Sequence, residues 1–411
     1  LLNIPRMLVL GGDLGSIFNQ GLLFSSNPFK YALDIAATMK TFYSKKNFRQ
    51  SMDNIYTDPD FARFTTPNDP RLIVFEGDIP RKGYELYIAD IDSPLSLREE
   101  AFISNWIKKV PGIGNLIKAG ERFHVAFLNK LRYRLTKDYY NVLKNSGASS
   151  EIIDEKMIKY VKFVNAGTGR GSLKGLNKFA TELNAVALAP RWVYSRFEVP
   201  YMFANELLRN SRSETSIAGK MAKDLVGFAM TITGIGGILA LNGFNVETDS
   251  RKSNFLKFKR DNINVDLTAG LGPVIRLINR IGHTVSPNGE LVSQTGQPYQ
   301  AETFEILKQF VGTKFSPGAR SIVSLTTGED FYGDEITPAE AFIPTDVEGI
   351  EEFMPLFIQE IREAARLEGE RTAFSIAIPA FAGMNMSVYP NKNTIANSEF
   401  KRQYNELWEF E

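Results

Sequence analysis

The chain has 411 residues, of which 43% are hydrophobic, 12% aromatic and 23% charged. This composition is that of a globular protein, so it excludes wholesale disorder, collagen-like repeats and a small disulfide-stapled scaffold. Because 48 basic residues face 47 acidic ones, the net charge of +1 provides no global field for a nucleic acid or an anionic membrane, and any such partner needs a local patch.

Few side chains are available for familiar catalysis. The chain contains no cysteine, and its only histidines are His124 and His283. Thiolate nucleophiles, zinc-cysteine sites and most zinc chemistry are therefore excluded. Neither histidine has a partner at ligand spacing along the sequence, so we expect neither an enzyme nor a bound cofactor or metal.

The N-terminal quarter begins at Leu1 rather than Met, which we interpret as the start of a piece of a longer chain. Its first 48 residues are apolar, rich in glycine and then helical in period, which predicts a buried or interfacial helix pair. The polar residues 50–70 suggest a connector. Two short apolar runs, Arg71 to Glu76 and Tyr84 to Ala89, are predicted to be strands of a hairpin.

Helices dominate the next part of the chain. Ser96 and Glu99 form a capping box for a first helix, which is predicted to run to Lys109. Apolar residues at three- and four-residue spacing predict a long helix from Leu116 to Leu143. Further helices are predicted at residues 150–164 and 174–187, and Pro190 and Pro200 bracket a short polar-aromatic stretch.

The segment from Leu225 to Phe244 carries no formal charge over 20 residues. A helix of that length spans roughly 30 Å, the thickness of a bilayer's hydrocarbon core. Small residues favour close helix packing in membranes, which makes this a candidate membrane segment. The residues that define it are Leu225, Gly227, Gly234, Gly237 and Gly243. A buried core helix, or a pair of short helices, is the alternative.

Strand patterns return after Asp249. Two alternating runs joined by Asp261 and Asn262 predict a hairpin. Helices follow at 272–281, 302–311, 319–326 and 347–367, the last with one apolar and one acidic face. A polar loop from His283 to Gln300 is predicted between the first two of these helices, and the residues after the last one resemble an extended arm. We therefore predict a mainly α protein, a multi-helix assembly with one or two small β-hairpins at about 71–89 and 255–268. Its regions are 1–95 (N-terminal helices and hairpin), 96–245 (helical, with the apolar segment), 246–330 (hairpin and helices) and 331–411 (helix and arm).

Three groups of residues invite a chemical interpretation. The glycine cluster from Gly167 to Ser172 fails both phosphate-loop patterns and suits a helix C-cap. Four carboxylates near the first predicted hairpin can suggest a divalent-metal site, although turn chemistry accounts for them equally well; they are Glu76, Asp78, Asp90 and Asp92. A basic face on the long helix is a candidate nucleic-acid backbone contact, formed by Arg122, Lys130, Arg132 and Arg134.

Six stretches, taken in order, resemble a domain of tailed-bacteriophage proteins that occurs at the C-terminal end of large polyvalent proteins and in internal virion (ejection) proteins. They are Glu100 to Leu131, Phe163 to Ser172 (FVNAGTGRGS), Leu183 to Phe197, Asn245 to Leu267, Lys314 to Gly333 and Pro379 to Pro390 (PAFAGMNMSVYP). The resemblance covers most of the chain up to about residue 390. Each motif is weak alone, and their common order makes the set specific.

The resemblance implies a structural virion protein, carried in the capsid interior or at the portal-tail axis and delivered with the genome to the host envelope or cytoplasm. By analogy with ejection proteins, the chain is also expected to contribute to a conduit through the host envelope. Expected partners are portal or tail components, copies of the chain itself, phage DNA without sequence specificity and, transiently, the host membrane. Arg191, Trp192 and Arg196 are expected to fix the fold by cation–π contacts. Two alternatives stay open: a portal-, head- or tail-associated assembly protein with no membrane step, and a metal-dependent nucleic-acid-processing module.

Overall fold

The computed structural model of the chain describes residues 16–65, 83–89, 113–172, 189–209, 216–261, 263–286, 289–293, 296–315 and 384–388, with positions 183, 186, 187, 319, 323, 326, 327, 361, 362 and 365. Within these ranges the protein is mainly helical with small antiparallel strands, as predicted. The predicted helices at 96–109 and 174–187 lie wholly or largely outside the described residues, as do those at 319–326 and 347–367.

The N-terminal helices run further than the sequence suggests. A π-helical segment, Ser16–Gly21, and a 3-10 turn, Leu22–Phe24, precede helix α1 (Pro28–Tyr43), α2 (Lys45–Tyr56) and the short α3 (Phe61–Phe64). The side chains of Asn27 and Ser44 accept hydrogen bonds from the first turns of α1 and α2, which sets where each begins. The predicted connector at 50–70 is wrong over most of its described part, because α2 continues to Tyr56 and α3 follows after the turn at residues 57–60.

Four longer helices follow. They are α4 (Ile113–Asn145), α5 (Ser150–Gly167), α6 (Pro190–Arg209) and α7 (Ile217–Leu241). The predictions for α4 and α5 are confirmed to within three residues at each end. The stretch between Pro190 and Pro200 is not a separate segment, since both prolines belong to α6.

One large buried cluster joins these helices. It includes the aromatic pairs Phe24–Phe163, Tyr31–Phe127 and Tyr139–Tyr160, whose ring centroids lie 5.7, 5.7 and 4.6 Å apart. Aromatic rings bury large areas and prefer tilted or edge contacts, so such pairs stabilise a helical core. The cluster draws residues from both sides of the predicted boundary at 95/96.

A four-stranded antiparallel sheet packs against the C-terminal half of α7. Its order is β1 (Asn245–Val246), β2 (Phe258–Arg260), β3 (Ile263–Asp266) and β6 (Asn385–Val388). The predicted hairpin at 255–268 is confirmed: Phe258 lies opposite Val265, and Asp261 takes a positive φ of 51° at the turn. The predicted extended arm is wrong at β6, because Met386 pairs with Val265 and is buried.

The smaller elements complete the described fold. Helix α8 (Gly272–Thr284) follows the sheet, β4 (Leu291–Val292) pairs with β5 (Pro298–Tyr299), and helix α9 (Thr303–Gly312) packs on α8. The predicted helices at 272–281 and 302–311 are confirmed. The loop expected from 283 to 300 contains the β4–β5 pair.

The segment from Gly83 to Ala89 corrects the predicted hairpin at 71–89. Its alternation is real, since Tyr84, Leu86 and Ile88 are buried, but the described residues contain no strand here. Asn165 on α5 accepts from the amide of Tyr87 and donates to the carbonyl of Glu85. Asn129 on α4 binds the amide and the carbonyl of Ala89 in the same way. These side-chain amides, together with the carbonyls of Arg63 and Phe64 that accept from the amides of Tyr84 and Leu86, take the place of neighbouring strands. The other half of that predicted hairpin lies outside the described residues.

Candidate functional site

Local hydrogen bonds and a glycine turn define the two ends of helix α7. Ser216 caps its start by accepting a hydrogen bond from the amide of Gly219 at 2.9 Å. At its end, Gly243 has a φ of +83° and the amide of Phe244 bonds to the carbonyl of Leu239. This is the left-handed C-terminal turn that glycine permits. The uncharged segment thus forms one continuous helix up to Leu241, rather than a pair of short ones.

The outward face of α7, defined here as Val226, Ala229, Met230, Thr233, Gly234, Gly237, Ile238, Ala240 and Leu241, is exposed. Val226, Met230, Ile238 and Leu241 are 58%, 70%, 62% and 90% exposed. Thr233 is the only hydroxyl on this face, and it donates to the carbonyl of Ala229 within the same helix. The outward face therefore presents no charge and no unbonded hydroxyl.

The helix is long and apolar enough to cross a membrane by length and composition, and among the described residues it alone meets that description. A core helix of a water-soluble protein can meet the same description, but it is mostly buried. In α7 only 22% of the apolar window is buried. The expected alternative, a plain buried core helix, is therefore wrong.

The inward face of α7 packs on both hydrophobic clusters. Met221 and Phe228 belong to the large helical cluster, and Leu239 contacts the cluster around the sheet. Ile232 and Ile235 contact both clusters, so α7 joins the helical body to the sheet.

A buried polar cluster, which we call the Asp224 cluster, fixes the N-terminal part of α7. Asp224 is fully buried and accepts hydrogen bonds from Lys220, from the Tyr160 hydroxyl at 2.9 Å and from the Ser26 hydroxyl at 3.3 Å. Burial, and then the charge of Asp224, raise the pKa of Tyr160. Burial lowers the pKa of Lys220, although Asp224 opposes that effect. Charges with such partners tolerate burial, and removing one partner is costly.

The structure divides the five predicted membrane-segment residues into two groups. Gly234 and Gly237 lie on the outward face with open space around them, whereas Leu225 packs inward. A Cβ on Gly227 would lie 2.2 Å from the Cα of Ser26, so that glycine allows α7 to approach the 3-10 turn. Gly243 belongs to the C-terminal turn. Of the four glycines predicted to define the membrane segment, Gly227 and Gly243 therefore do not belong to the outward face.

Arg191, Trp192 and Arg196 occupy the first turns of α6, beside the glycine cluster that ends α5. Arg196 is buried, donates to the carbonyls of Gly167 and Asn19 at 3.2 Å, and lies 5.1 Å from the Trp192 ring centroid. Burial lowers the pKa of Arg196 to about 9, so the guanidinium stays charged at neutral pH. The carbonyl end of α5 is a site that favours such a cation. The carbonyl of Arg191 lies against Gly171, and the group has the architectural contacts that were expected.

The basic face of α4 is engaged within the protein. Arg122 donates to the carbonyls of Thr41 and Phe42 at the end of α1, and Arg134 and Lys130 pair with Asp34 at 2.7 and 3.4 Å. Arg132 is fully buried against Thr168 and Tyr87. Arg132 therefore has no access to a phosphate, and nucleic-acid contact by the other three stays a prediction that these contacts do not favour.

The remaining candidates offer no assembled catalytic group in the described part of the chain. Glu76, Asp78, Asp90 and Asp92 lie outside it, and the described residues contain no group of acids and histidines that could hold a metal ion. His283, expected to lie alone in a loop, ends α8 and its Nε2 lies 2.9 Å from the Ser250 hydroxyl. Comparison with protein-family models, curated proteins and solved structures finds no match to this chain.

Proposed function

We propose that this chain is a structural protein of a bacteriophage virion, an internal or ejected protein that is delivered with the genome and contacts the host envelope through α7. The observation that carries the membrane step is the exposed, uncharged outward face of that helix. The virion assignment rests on the ordered motifs from Glu100 to Pro390 that resemble large polyvalent and internal virion proteins. In this account the chain resides in the capsid interior or at the portal-tail axis until ejection.

Contact of the outward face with water is unfavourable, which favours a membrane step. Exposed apolar area costs about 25 cal/mol per Å² relative to a buried state, so a continuous uncharged face favours an apolar partner. A bilayer offers such an environment without requiring hydrogen bonds from the partner. The hydroxyl of Thr233 already bonds within the helix, so the face can lose water without leaving that group unpaired.

Liposome flotation of the purified chain tests the membrane step at neutral and acidic pH. We expect the wild-type chain to float, and the pair Met230→Glu and Ile238→Glu to abolish flotation, because charges on the outward face must be dehydrated. The matched control is Ile152→Glu with Phe304→Glu, two exposed apolar residues of α5 and α9. Flotation at neither pH, or equal loss with the control pair, would contradict the proposal.

A portal-, head- or tail-associated assembly role is the second candidate. Exposed apolar side chains away from α7 favour it, since Leu208 and Phe29 are 88% and 74% exposed on α6 and α1. Such residues suit contacts with other virion proteins or further copies of the chain. A wild-type chain that fails to float but co-assembles with purified portal or tail proteins would select this role.

A further inference from the structure

The packing of α7 on the protein determines in which orientation the helix can bind a bilayer. The inference drawn from it rests on the proposed function. A helix that spans a bilayer lengthwise must present its whole circumference to lipid or to other membrane helices. In this structure the inward face is engaged along most of its length, from Met221 in the helical cluster to Leu239 in the sheet cluster. Spanning would therefore require α7 to leave both clusters.

Polar contacts strengthen the attachment of the inward face. Asp224 is held by Tyr160 of α5 and by Ser26, and Thr231 donates to the carbonyl of Ser25 at 3.0 Å. Gly227 brings the helix into close contact with Ser26. Withdrawing α7 would break these contacts, and a lengthwise insertion would carry Asp224 toward lipid without Tyr160 and Ser26. The outward face, by contrast, is already exposed and needs no rearrangement.

Charges at the two ends of the outward face complement an anionic lipid surface. Lys223 lies three residues before Val226 on the exposed side of α7. Beyond the other end, Arg260 of β2 donates to the carbonyl of Asn242 and lies 4.8 Å from the Phe244 ring centroid. One exposed acid, Asp261, follows Arg260. Cations that flank an apolar face are typical of helices that lie in the interface with anionic headgroups.

We infer that α7 docks in the plane of an anionic bilayer through its outward face, while its inward face stays attached to the protein body. The chain is then a peripheral protein whose helix enters the headgroup and upper acyl region. Helices bound in this way bury their apolar face by about 5–10 Å. Such docking delivers the folded chain to the membrane surface and does not form a transmembrane span.

Depth-dependent fluorescence quenching distinguishes the two arrangements. Because the chain contains no cysteine, single substitutions carry the only thiol label: Val226→Cys, Met230→Cys, Ile238→Cys and Leu241→Cys, with Phe304→Cys on α9 as the control. Each labelled chain is bound to vesicles of phosphatidylcholine and phosphatidylglycerol that contain lipids brominated at defined acyl positions. In-plane docking predicts one shallow depth for all four outward labels and no quenching of the control.

A spanning helix gives a different pattern. Val226 and Leu241 are separated by about 22 Å along the axis, so spanning would place them near opposite surfaces and the central labels deepest. That graded pattern in chains that float would overturn the in-plane inference and leave the proposed membrane function standing. Failure of every labelled chain and of the wild-type chain to float would contradict both.

Two further outcomes complete the test. Replacement of Lys223 by alanine should weaken binding to anionic vesicles about fivefold, with no change on zwitterionic ones. Unchanged binding to anionic vesicles would contradict the role given to this cation. If the outward labels are already shielded from aqueous iodide before lipid is added, and the chain sediments as a dimer, a second copy covers the face and the inference fails.

Discussion

The Tyr160 hydroxyl on α5 donates a hydrogen bond to the fully buried carboxylate of Asp224 on α7, with an O···O distance of 2.9 Å. This contact joins the helical body to the helix that carries the outward face. The two residues are 64 positions apart in the sequence, and both belong to the Asp224 cluster. The fixed position of α7 on the protein therefore depends on a polar contact as well as on apolar packing.

Removal of that hydroxyl should weaken the fold. In Tyr160→Phe the ring contacts with Tyr139 and Phe163 persist, but Asp224 loses a donor, and we expect the free energy of unfolding to fall by about 1–3 kcal/mol. Urea denaturation followed by circular dichroism measures the change. Tyr201→Phe, at an exposed tyrosine of α6, is the control and should leave the midpoint unchanged. Equal midpoints for all three chains would show that the contact contributes nothing.

Two glycines of α7 should respond to alanine with opposite signs. Gly227→Ala places a methyl group against the backbone of Ser26 and should destabilise the protein by about 1–3 kcal/mol. Gly234→Ala meets open space and should stabilise it by about 0.5–1 kcal/mol, because alanine loses less conformational entropy in a helix. Thermal unfolding of both variants measures the two effects. The same sign for both would contradict the packing described for the inward face.

The two asparagines that bind the segment from Gly83 to Ala89 should protect different amides. In Asn129→Ala the amide of Ala89 loses its acceptor, and in Asn165→Ala the amide of Tyr87 does. Hydrogen exchange measured by NMR should speed up at Ala89 in the first variant and at Tyr87 in the second. The amides of α8 are the internal control in both. Faster exchange throughout the segment in either variant would contradict separate binding by the two side chains.

Acid should weaken the sheet through Asp266. Burial opposes ionisation of this carboxyl, but the charge of Arg276 and hydrogen bonds from Thr268 and Arg276 hold its pKa below the ordinary value. A lowered folded-state pKa gives stability that is complete above the unfolded value of about 3.9 and is lost as the pH falls through the folded value.

The variant Asp266→Asn isolates that contribution. Between pH 5 and pH 2, the free energy of unfolding of the wild type should fall more steeply than that of Asp266→Asn. Asp249→Asn provides a comparison at a half-buried carboxyl, since Arg251 lowers the pKa of Asp249 to about 2. Parallel pH profiles for the wild type and Asp266→Asn would contradict a lowered pKa at Asp266.

Local patterns predicted much of the fold. Apolar periodicity located α4 and α5, and the Asp261 turn located the β2–β3 hairpin, because both signals reside in neighbouring residues. The strand β6 was not predicted, because its partner β3 lies over 100 residues earlier in the chain. The Gly83–Ala89 segment alternates like a strand, and nothing local indicates that Asn129 and Asn165 take the place of a neighbouring strand.

The outward face of α7 was only partly predictable, because it also depends on contacts with residues that are distant in the sequence. The absence of charge from Leu225 to Phe244 singled out α7, but both of its faces are apolar and both contain glycine. Gly227 and Gly234 look alike in sequence, and only the distant Ser26 places one inward and leaves the other exposed. The partners of the basic face of α4 could not be predicted for a similar reason, since Asp34 and the end of α1 contact it from elsewhere in the chain.

The position of the chain in the virion, determined by cryo-electron microscopy of intact and emptied particles of the encoding phage, tests the central claim most directly. The account predicts density for this chain in the capsid interior or along the portal-tail axis, in copies related by axial symmetry, and its loss once the genome has been ejected. A chain on the outer capsid surface, one retained in emptied particles, or one absent from intact virions would contradict it.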